Sequence, residues 1–287
     1  MRDEAVFQLF LVGETEIRPL PVPETAKTFT EMLAGYPLGV YSVLRTFAHN
    51  KFLYLEAHLA RLRRSISLSG WAYRLDEAVL RRALHQVCTA YPLPEARVRL
   101  DVLARPVQAG ALSSRLLVGL MPFTPPPAAY YREGVRVDVA AGLRREKPQI
   151  KTAAFAQRRR QYQKNSDVYE YLMLDDDGRI LEGVSSNFYA VRDGILRTAG
   201  SGVLAGVTRQ IILNLAGELE IPVRLQAVHL DEIAHLQEAM ISSSSRAVLP
   251  VTQISEQKVG YGRPGPIYCR LLAAYNQFVA RVVETAV

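Results

Sequence analysis

The sequence predicts an α+β fold of mixed α/β character, arranged as two domains, and three observations carry that expectation. Short apolar runs with strand periodicity recur along the whole chain, with amphipathic helical stretches set between them. Two turn signals, Asp175-Asp176-Asp177-Gly178 and Arg192-Asp193-Gly194, each lie between apolar runs and predict antiparallel hairpins. From Met121 to Ala128 the chain reads Met-Pro-Phe-Thr-Pro-Pro-Pro-Ala, and Pro125 to Pro127 suit an extended spacer rather than a ladder or helix interior. That stretch predicts a linker over 122–131, a smaller N-terminal α/β domain over 1–121 and a larger C-terminal domain over 132–287. A length of 287 residues suits one large domain or two of ordinary size.

In the N-terminal half, Phe7 to Val12 forms an apolar strand. Gly39 to Phe47 alternates with a period of two, and Phe52 to Leu55 is its hairpin partner. Leu55 to Leu68 follows as a helix, because Leu59, Leu62, Ile66 and Leu68 gather roughly on one face. Asp76 is placed to cap a helix running to Tyr91. Strands Arg97 to Leu103 and Leu116 to Met121 close this half. The C-terminal half opens with strand Val135 to Ala140 and a helix from Ala153 to Lys164. Tyr169 to Leu174 and Ile180 to Glu182 flank the first turn, and Phe188 to Val191 and Ile195 to Arg197 flank the second. A helix starts near Thr208, strand Ala239 to Ser242 leads into a run of serines, and a last helix spans Pro266 to Val283.

Composition excludes several function classes. Hydrophobic residues make up 49% and charged residues 22%, which supplies a sizeable core and argues against disorder. No apolar run reaches the roughly 18 residues of a membrane span, and Met1-Arg2-Asp3-Glu4 lacks the form of a signal peptide. Cys88 and Cys269 lie far apart with no CxxC, so neither a disulfide framework nor a metal site is expected, and a reducing cytoplasm fits. The net charge of +7 raises the question of nucleic acid. The densest cationic run, Arg158-Arg159-Arg160, reads as a solvated helix face, and no nucleic-acid-binding motif accompanies it. The charge suits small anionic substrates such as amino and keto acids.

Only six lysines occur: Lys27, Lys51, Lys147, Lys151, Lys164 and Lys258. Arginine forms no stable imine, so the search for a carbonyl-capturing amine is short. Lys151, between Ile150 and Thr152-Ala153-Ala154, is placed for half-burial, which lowers an ammonium pKa and makes the amine nucleophilic. A lone lysine is otherwise ordinary surface. Val207-Thr208-Arg209 opens a helix after Gly206, and free first-turn amides with a threonine hydroxyl suit a phosphate dianion or a plain N-cap. Glu182-Gly183 ends a hairpin strand, a common surface ending. Arg61, in His58-Leu59-Ala60-Arg61-Leu62, offers a fork matched to phosphate oxygens or to water on a helix face. In the same segment His58 reads as a packing or capping residue.

A lysine, a hairpin ending in Glu-Gly, and a Gly-Val-Thr-Arg helix start, in that order, resemble the fold-type IV pyridoxal phosphate enzymes. That family includes branched-chain aminotransferases, D-amino-acid aminotransferases and aminodeoxychorismate lyase. The resemblance spans roughly Gly39 to Pro266 and implies the two-domain, D-amino-acid aminotransferase-like fold. It implies pyridoxal 5'-phosphate as cofactor, with Lys151 as its covalent anchor and proton carrier. Arg61, Val207, Thr208 and Ser244 would hold the phosphate, Glu182 the ring nitrogen, and Asn187 would give structural support. Tyr41, in Gly39-Val40-Tyr41, would line the substrate pocket or serve as a core aromatic. Arg99, Ser245 and Arg246 would stand on the substrate side. Arg246 would either pair with a substrate carboxylate, or point to solvent or bond a neighbouring carbonyl. The family often has a tyrosine shortly after the lysine, where this chain has Phe155, and residues 97–102 lack the usual arginine-glycine ending. The activity implied is transamination between an amino acid, branched-chain or similar, and a 2-keto acid. Cleavage of aminodeoxychorismate to p-aminobenzoate and pyruvate is the alternative. A cytoplasmic homodimer is implied as well.

Overall fold

The computed structural model describes residues 7–163 and 167–286, and the chain divides into two compact units. The first comprises Met1–Thr124, Ile150–Gln157 and Val282–Val287, and the second Pro125–Gln149 and Arg158–Arg281. In chain order the first unit begins with β1 (Gln8–Val12), β2 (Ile17–Leu20), a short α1 (Phe29–Met32), β3 (Gly39–Arg45) and β4 (Lys51–Leu53). Helices α2 (Leu55–Leu68) and α3 (Glu77–Ala90) follow, then the long strands β5 (Ala96–Ala109) and β6 (Leu112–Pro122). Next come α4 (Ala128–Glu133), β7 (Val135–Val139), α5 (Ala153–Arg158) and a 3-10 turn, Arg159–Gln163. The remaining strands and helices are β8 (Glu170–Leu174), β9 (Ile180–Gly183), β10 (Asn187–Arg192), β11 (Ile195–Arg197), α6 (Val207–Glu218), β12 (Val223–Arg224), β13 (Glu238–Ser243), β14 (Ala247–Ile254), β15 (Gln257–Lys258), α7 (Pro266–Val282) and β16 (Val283–Thr285).

The first unit holds an antiparallel sheet in the order β2-β1-β6-β5-β3, which leaves β3 at an edge. Period-two alternation decides its faces. Val40 and Leu44 of β3 pack with Leu55, Leu59 and Leu62 of α2 and with Leu80 and Leu84 of α3. Each such leucine contributes about 1.5–3 kcal/mol on full burial. The opposite face packs Leu9, Leu11 and Leu117 against Phe29 and Met32 of α1. Asp76 caps α3 by accepting from the Val79 amide at 3.0 Å.

The second unit is built on a nine-stranded sheet with the path β12-β11-β10-β13-β14-β7-β8-β9 and β15 beside β14. A further pairing, Asn187 with Glu182, joins β9 to β10 and closes β10-β13-β14-β7-β8-β9 on itself. Both hairpin turns have the geometry their residues demand. Gly178 sits at φ +80°, and the Asp175 carboxylate accepts from the amides of Asp177 and Arg179. Asp193 and Gly194 sit at φ +54° and +71°, as a two-residue hairpin turn requires.

Several elements differ from the sequence expectation. The helix expected from Ala153 to Lys164 is α-helical only to Arg158 and tightens into the 3-10 turn, while Lys164 lies outside the described residues. Strand β14 crosses the middle of its sheet although it contains Pro250, which has no amide to donate. Its pairing with β7 begins only at Val251, and the register shifts by Gln253, so the sheet meets the proline beside an irregularity. No helix among the described residues is long and apolar enough to cross a membrane. Within the cationic run, Arg158 pairs with Glu146 at 2.6 Å and Arg159 donates to the Val184 carbonyl at 2.7 Å.

Candidate active site

In the first unit, Lys151 lies along the free edge of β3. Its carbonyl accepts from the Tyr41 amide at 2.9 Å, and Thr152 bridges Val40. This pairing fixes the backbone of Lys151, and its Nζ stands 5.3 Å from the centre of the Tyr41 ring. The lysine is half-buried, and Tyr41 is buried.

Tyr41 and Ser42 point to opposite faces of the strand. On the Tyr41 face, Arg99 stacks its guanidinium 3.9 Å from the ring centre. Arg99 Nε and Nη2 donate to the Asp101 carboxylate at 2.8 and 2.7 Å, and both side chains are buried. A period of two puts Arg99 and Asp101 on one face of β5, where they can pair. The resemblance implies a substrate contact for Arg99, and in this structure its Nε and Nη2 are held by Asp101. The guanidinium also backs Tyr41.

On the Ser42 face, Arg61 and His58 reach down from α2. Arg61 Nη2 donates to Ser42 Oγ at 2.8 Å, and Ser42 Oγ lies 3.0 Å from His58 Nδ1. An arginine can only donate, and it also lies 3.3 Å from His58 Nδ1. The ring nitrogen is therefore the acceptor, and the serine hydroxyl donates to it. Burial pushes the His58 imidazole well below its usual range, and the charges of Arg61 and Lys151 push it further.

In the second unit, Glu182 ends β9. Its Oε1 accepts from Arg145 Nε at 2.6 Å, and its Oε2 accepts from Asn187 Nδ2 at 3.1 Å and the Leu204 amide at 3.2 Å. Asn187 also donates to the Leu204 carbonyl, and its Oδ1 lies so close to Gly206 that a Cβ there would clash with it. Only glycine fits, so the chain entering α6 is drawn against Asn187 and Glu182. On the other strand Asn187 is in register with Ser242, two residues before Ser244. Asn187 thus ties together the carboxylate, the start of α6 and the serine turn.

Helix α6 begins at Val207 with Gly206 as N-cap, and no side chain caps its first turn. Thr208 is buried, and among the described residues its hydroxyl has no hydrogen-bond partner. Ser244 and Ser245 occupy the turn between β13 and β14. The Ser244 hydroxyl likewise has no partner among the described residues, whereas Ser245 Oγ lies 3.5 Å from Ser243 Oγ. First-turn amides with a hydroxyl beside them form a donor set matched to a phosphate dianion.

Arg246 closes the same serine turn. Its Nη1 pairs with Glu170 at 2.6 Å and its Nη2 donates to Ser185 Oγ at 2.6 Å. Both terminal nitrogens thus meet groups of the protein itself, a carboxylate and a hydroxyl. Burial alone would raise the Glu170 carboxyl, but Arg246, the Ser185 hydroxyl and Arg159 together hold it below its ordinary value.

Sequence reasoning missed Ser42, Arg145 and Glu170. Ser42 left a signal, being a polar residue between Val40 and Leu44 on an apolar stripe. Arg145 left none, because it follows Arg144 and only the fold separates them. Arg144 pairs with the exposed Asp176, while Arg145 is buried against Glu182.

Comparison with known proteins adds four findings. A family described as amino-transferase class IV matches residues 39–254. The D-alanine aminotransferase of Bacillus licheniformis is 29% identical over 264 residues, covering 88% of this chain and 92% of that protein. The branched-chain-amino-acid aminotransferase of Pseudomonas aeruginosa is 32% identical over 116 residues, covering 40% of this chain and 38% of that protein, well under half of its length. Among solved structures, the branched-chain amino acid aminotransferase of Escherichia coli superposes with a TM-score of 0.76 at 21% identity. That match covers 94% of this chain and 97% of that one, and it shows a shared fold.

Proposed function

The chain belongs to the amino-transferase class IV family, and on that premise we propose that it is a pyridoxal phosphate-dependent transaminase moving an amino group between an amino acid, branched-chain or similar, and a 2-keto acid. The observation that carries the reading is the uncapped start of α6 at Gly206-Val207-Thr208, drawn against Asn187 and Glu182. Its donor set fits a phosphate, with an acid for a ring nitrogen beside it.

Lys151, Arg61, Glu182, Val207, Thr208 and Ser244 would hold the cofactor. The resemblance assigns the phosphate to Arg61, the α6 amides and the hydroxyls of Thr208 and Ser244, which would hold it. Glu182 would pair with the ring nitrogen. Bound pyridoxal phosphate supplies an aldehyde that captures amines and a conjugated ring that stabilises negative charge on the adjacent carbon. Lys151 Nζ then acts as general base, takes the proton from the α-carbon of the amino donor and holds it for redelivery. Tyr41, backed by Arg99, would line the substrate side, and Ser245 would offer a substrate hydroxyl contact. A homodimer in the cytoplasm completes the proposal.

Reaction type is tested on purified holoenzyme by absorbance. A single amino acid added without a keto acid converts the cofactor spectrum to that of pyridoxamine phosphate, and a keto acid restores it. If no amino acid produces the conversion and aminodeoxychorismate releases pyruvate, the chain is a lyase instead. Light scattering at working concentration checks the dimer.

A further inference from the structure

We propose that Arg246 is a positioning residue, which braces the turn carrying Ser244 and Ser245 and takes no part in holding a substrate carboxylate. The proposal deepens the transaminase reading and rests on it for the role of Ser244. The turn is short: the Arg246 amide donates to the Ser243 carbonyl at 3.1 Å, so Arg246 closes the turn that presents both serines. Its side chain runs back across the sheet rather than out of it. One arm of the fork meets Glu170 on β8 and the other meets Ser185, just before β10. Ser185 in turn donates to Glu170 at 2.5 Å, and Ser186 donates to the same carboxylate oxygen at 3.1 Å. Arg246, Glu170 and Ser185 form a closed ring of charge-assisted bonds around a buried acid.

The backbone of the turn is pinned from the other side. Tyr131 Oη donates to the Arg246 carbonyl at 2.9 Å, and the Tyr169 ring centre lies 5.2 Å from the guanidinium. The next residue, Ala247, sits at φ +54°, a left-handed conformation that an alanine adopts only when its surroundings impose it. A side chain tied at both terminal nitrogens and a carbonyl tied at its oxygen supply that constraint. The strand connection that Arg246 grips, Val184 to Asn187, also carries Asn187, which holds Glu182 and the entrance to α6. Arg246 thus couples the serine turn to the connection on which the rest of this half-site hangs.

The experiment measures pyridoxal phosphate affinity by equilibrium dialysis for Arg246→Met, Ser244→Ala and the double variant, with thermal melts as the folding check. Arg246→Met is expected to weaken affinity about tenfold, the loss of roughly one charge-assisted contact. In the Ser244→Ala background the same change should add little, because the group it positions is gone. Fully additive losses would overturn the brace. A second arm compares KM for an amino acid and for a simple amine. Arg246→Met should shift both by the same factor, and a loss confined to the amino acid would restore the carboxylate clamp and sink the proposal. Unchanged affinity in Ser244→Ala would strike the phosphate role of Ser244, and the amine comparison then decides Arg246 alone. If Arg246→Met does not fold, Glu170→Gln, which keeps an acceptor without the charge, serves the same two arms.

Discussion

Arg145 Nε donates to Glu182 Oε1 across 2.6 Å, and the two side chains are 5% and 2% exposed. A buried pair of this kind is strongly destabilised when one partner is removed, by about 3–5 kcal/mol, because the other charge stays buried and unmatched. Arg145→Gln should therefore lower the denaturation midpoint markedly, whereas Arg144→Gln, whose partner Asp176 is exposed, should change it by less than about 0.5 kcal/mol. Equal effects in chemical denaturation would remove Arg145 from the support of Glu182. Because Glu182 is shared with Arg145, the absorbance of bound cofactor should also shift in Arg145→Gln and stay unchanged in Arg144→Gln.

Lys151→Ala should abolish turnover and leave the melting temperature within a few degrees. The strand-edge contacts of Lys151 run through its backbone, which the substitution keeps. Borohydride treatment of the holoenzyme followed by peptide mapping should find the cofactor attached at Lys151. A labelled peptide containing Lys147 instead would refute the assignment.

For Arg61, truncation should weaken pyridoxal phosphate binding rather than chemistry. A charge-assisted contact is worth roughly 1.5–3 kcal/mol, so Arg61→Ala should lose about tenfold or more in affinity. Ser42→Ala should lose less, since it only frees the guanidinium from one of its anchors. An Arg61→Ala protein that retains the cofactor normally would leave Arg61 as a packing residue of α2.

His58 gives a prediction in pH. Burial holds its imidazole well below the ordinary 6.5, helped by Arg61 and Lys151, so the native state does not take up the proton that the unfolded chain does. Between those two pKa values the unfolded state binds more protons, so stability is full above pH 6.5 and declines as pH falls below it. His58→Asn should be less stable than the parent at about pH 8, yet lose less on going from about pH 7 to 5. Parallel melting curves for the two proteins across that range would contradict a neutral buried His58.

Much of the fold could be read directly, and the reason is local. The helix spans Leu55–Leu68 as expected and buries Leu59, Leu62 and Ile66 of its stripe, though Leu68 is exposed; Asp76 caps where its side chain can reach the Val79 amide, and the two glycine turns follow from which residues tolerate positive φ. These features are decided within a few residues, so periodicity and turn chemistry suffice. Strand β14 was not legible, because Pro250 argues against a central strand and only the register of β7 shows where the proline is tolerated.

The chemistry divides in the same way. Sequence alone narrowed the candidates for a carbonyl-capturing amine to six lysines and left the glycine-led helix start as a phosphate site or a plain N-cap, since both readings depend on residue type and near neighbours. It could not say which acid each arginine meets. Asp101 lies two residues from Arg99, Glu182 thirty-seven from Arg145 and Glu170 seventy-six from Arg246. An arginine's fork binds whichever carboxylate the fold brings within about 3 Å, and for the last two that choice is made by tertiary contacts far apart in sequence. Sequence reveals that a guanidinium is present, and tertiary structure decides whether it faces a substrate or is already neutralised by the protein's own acids.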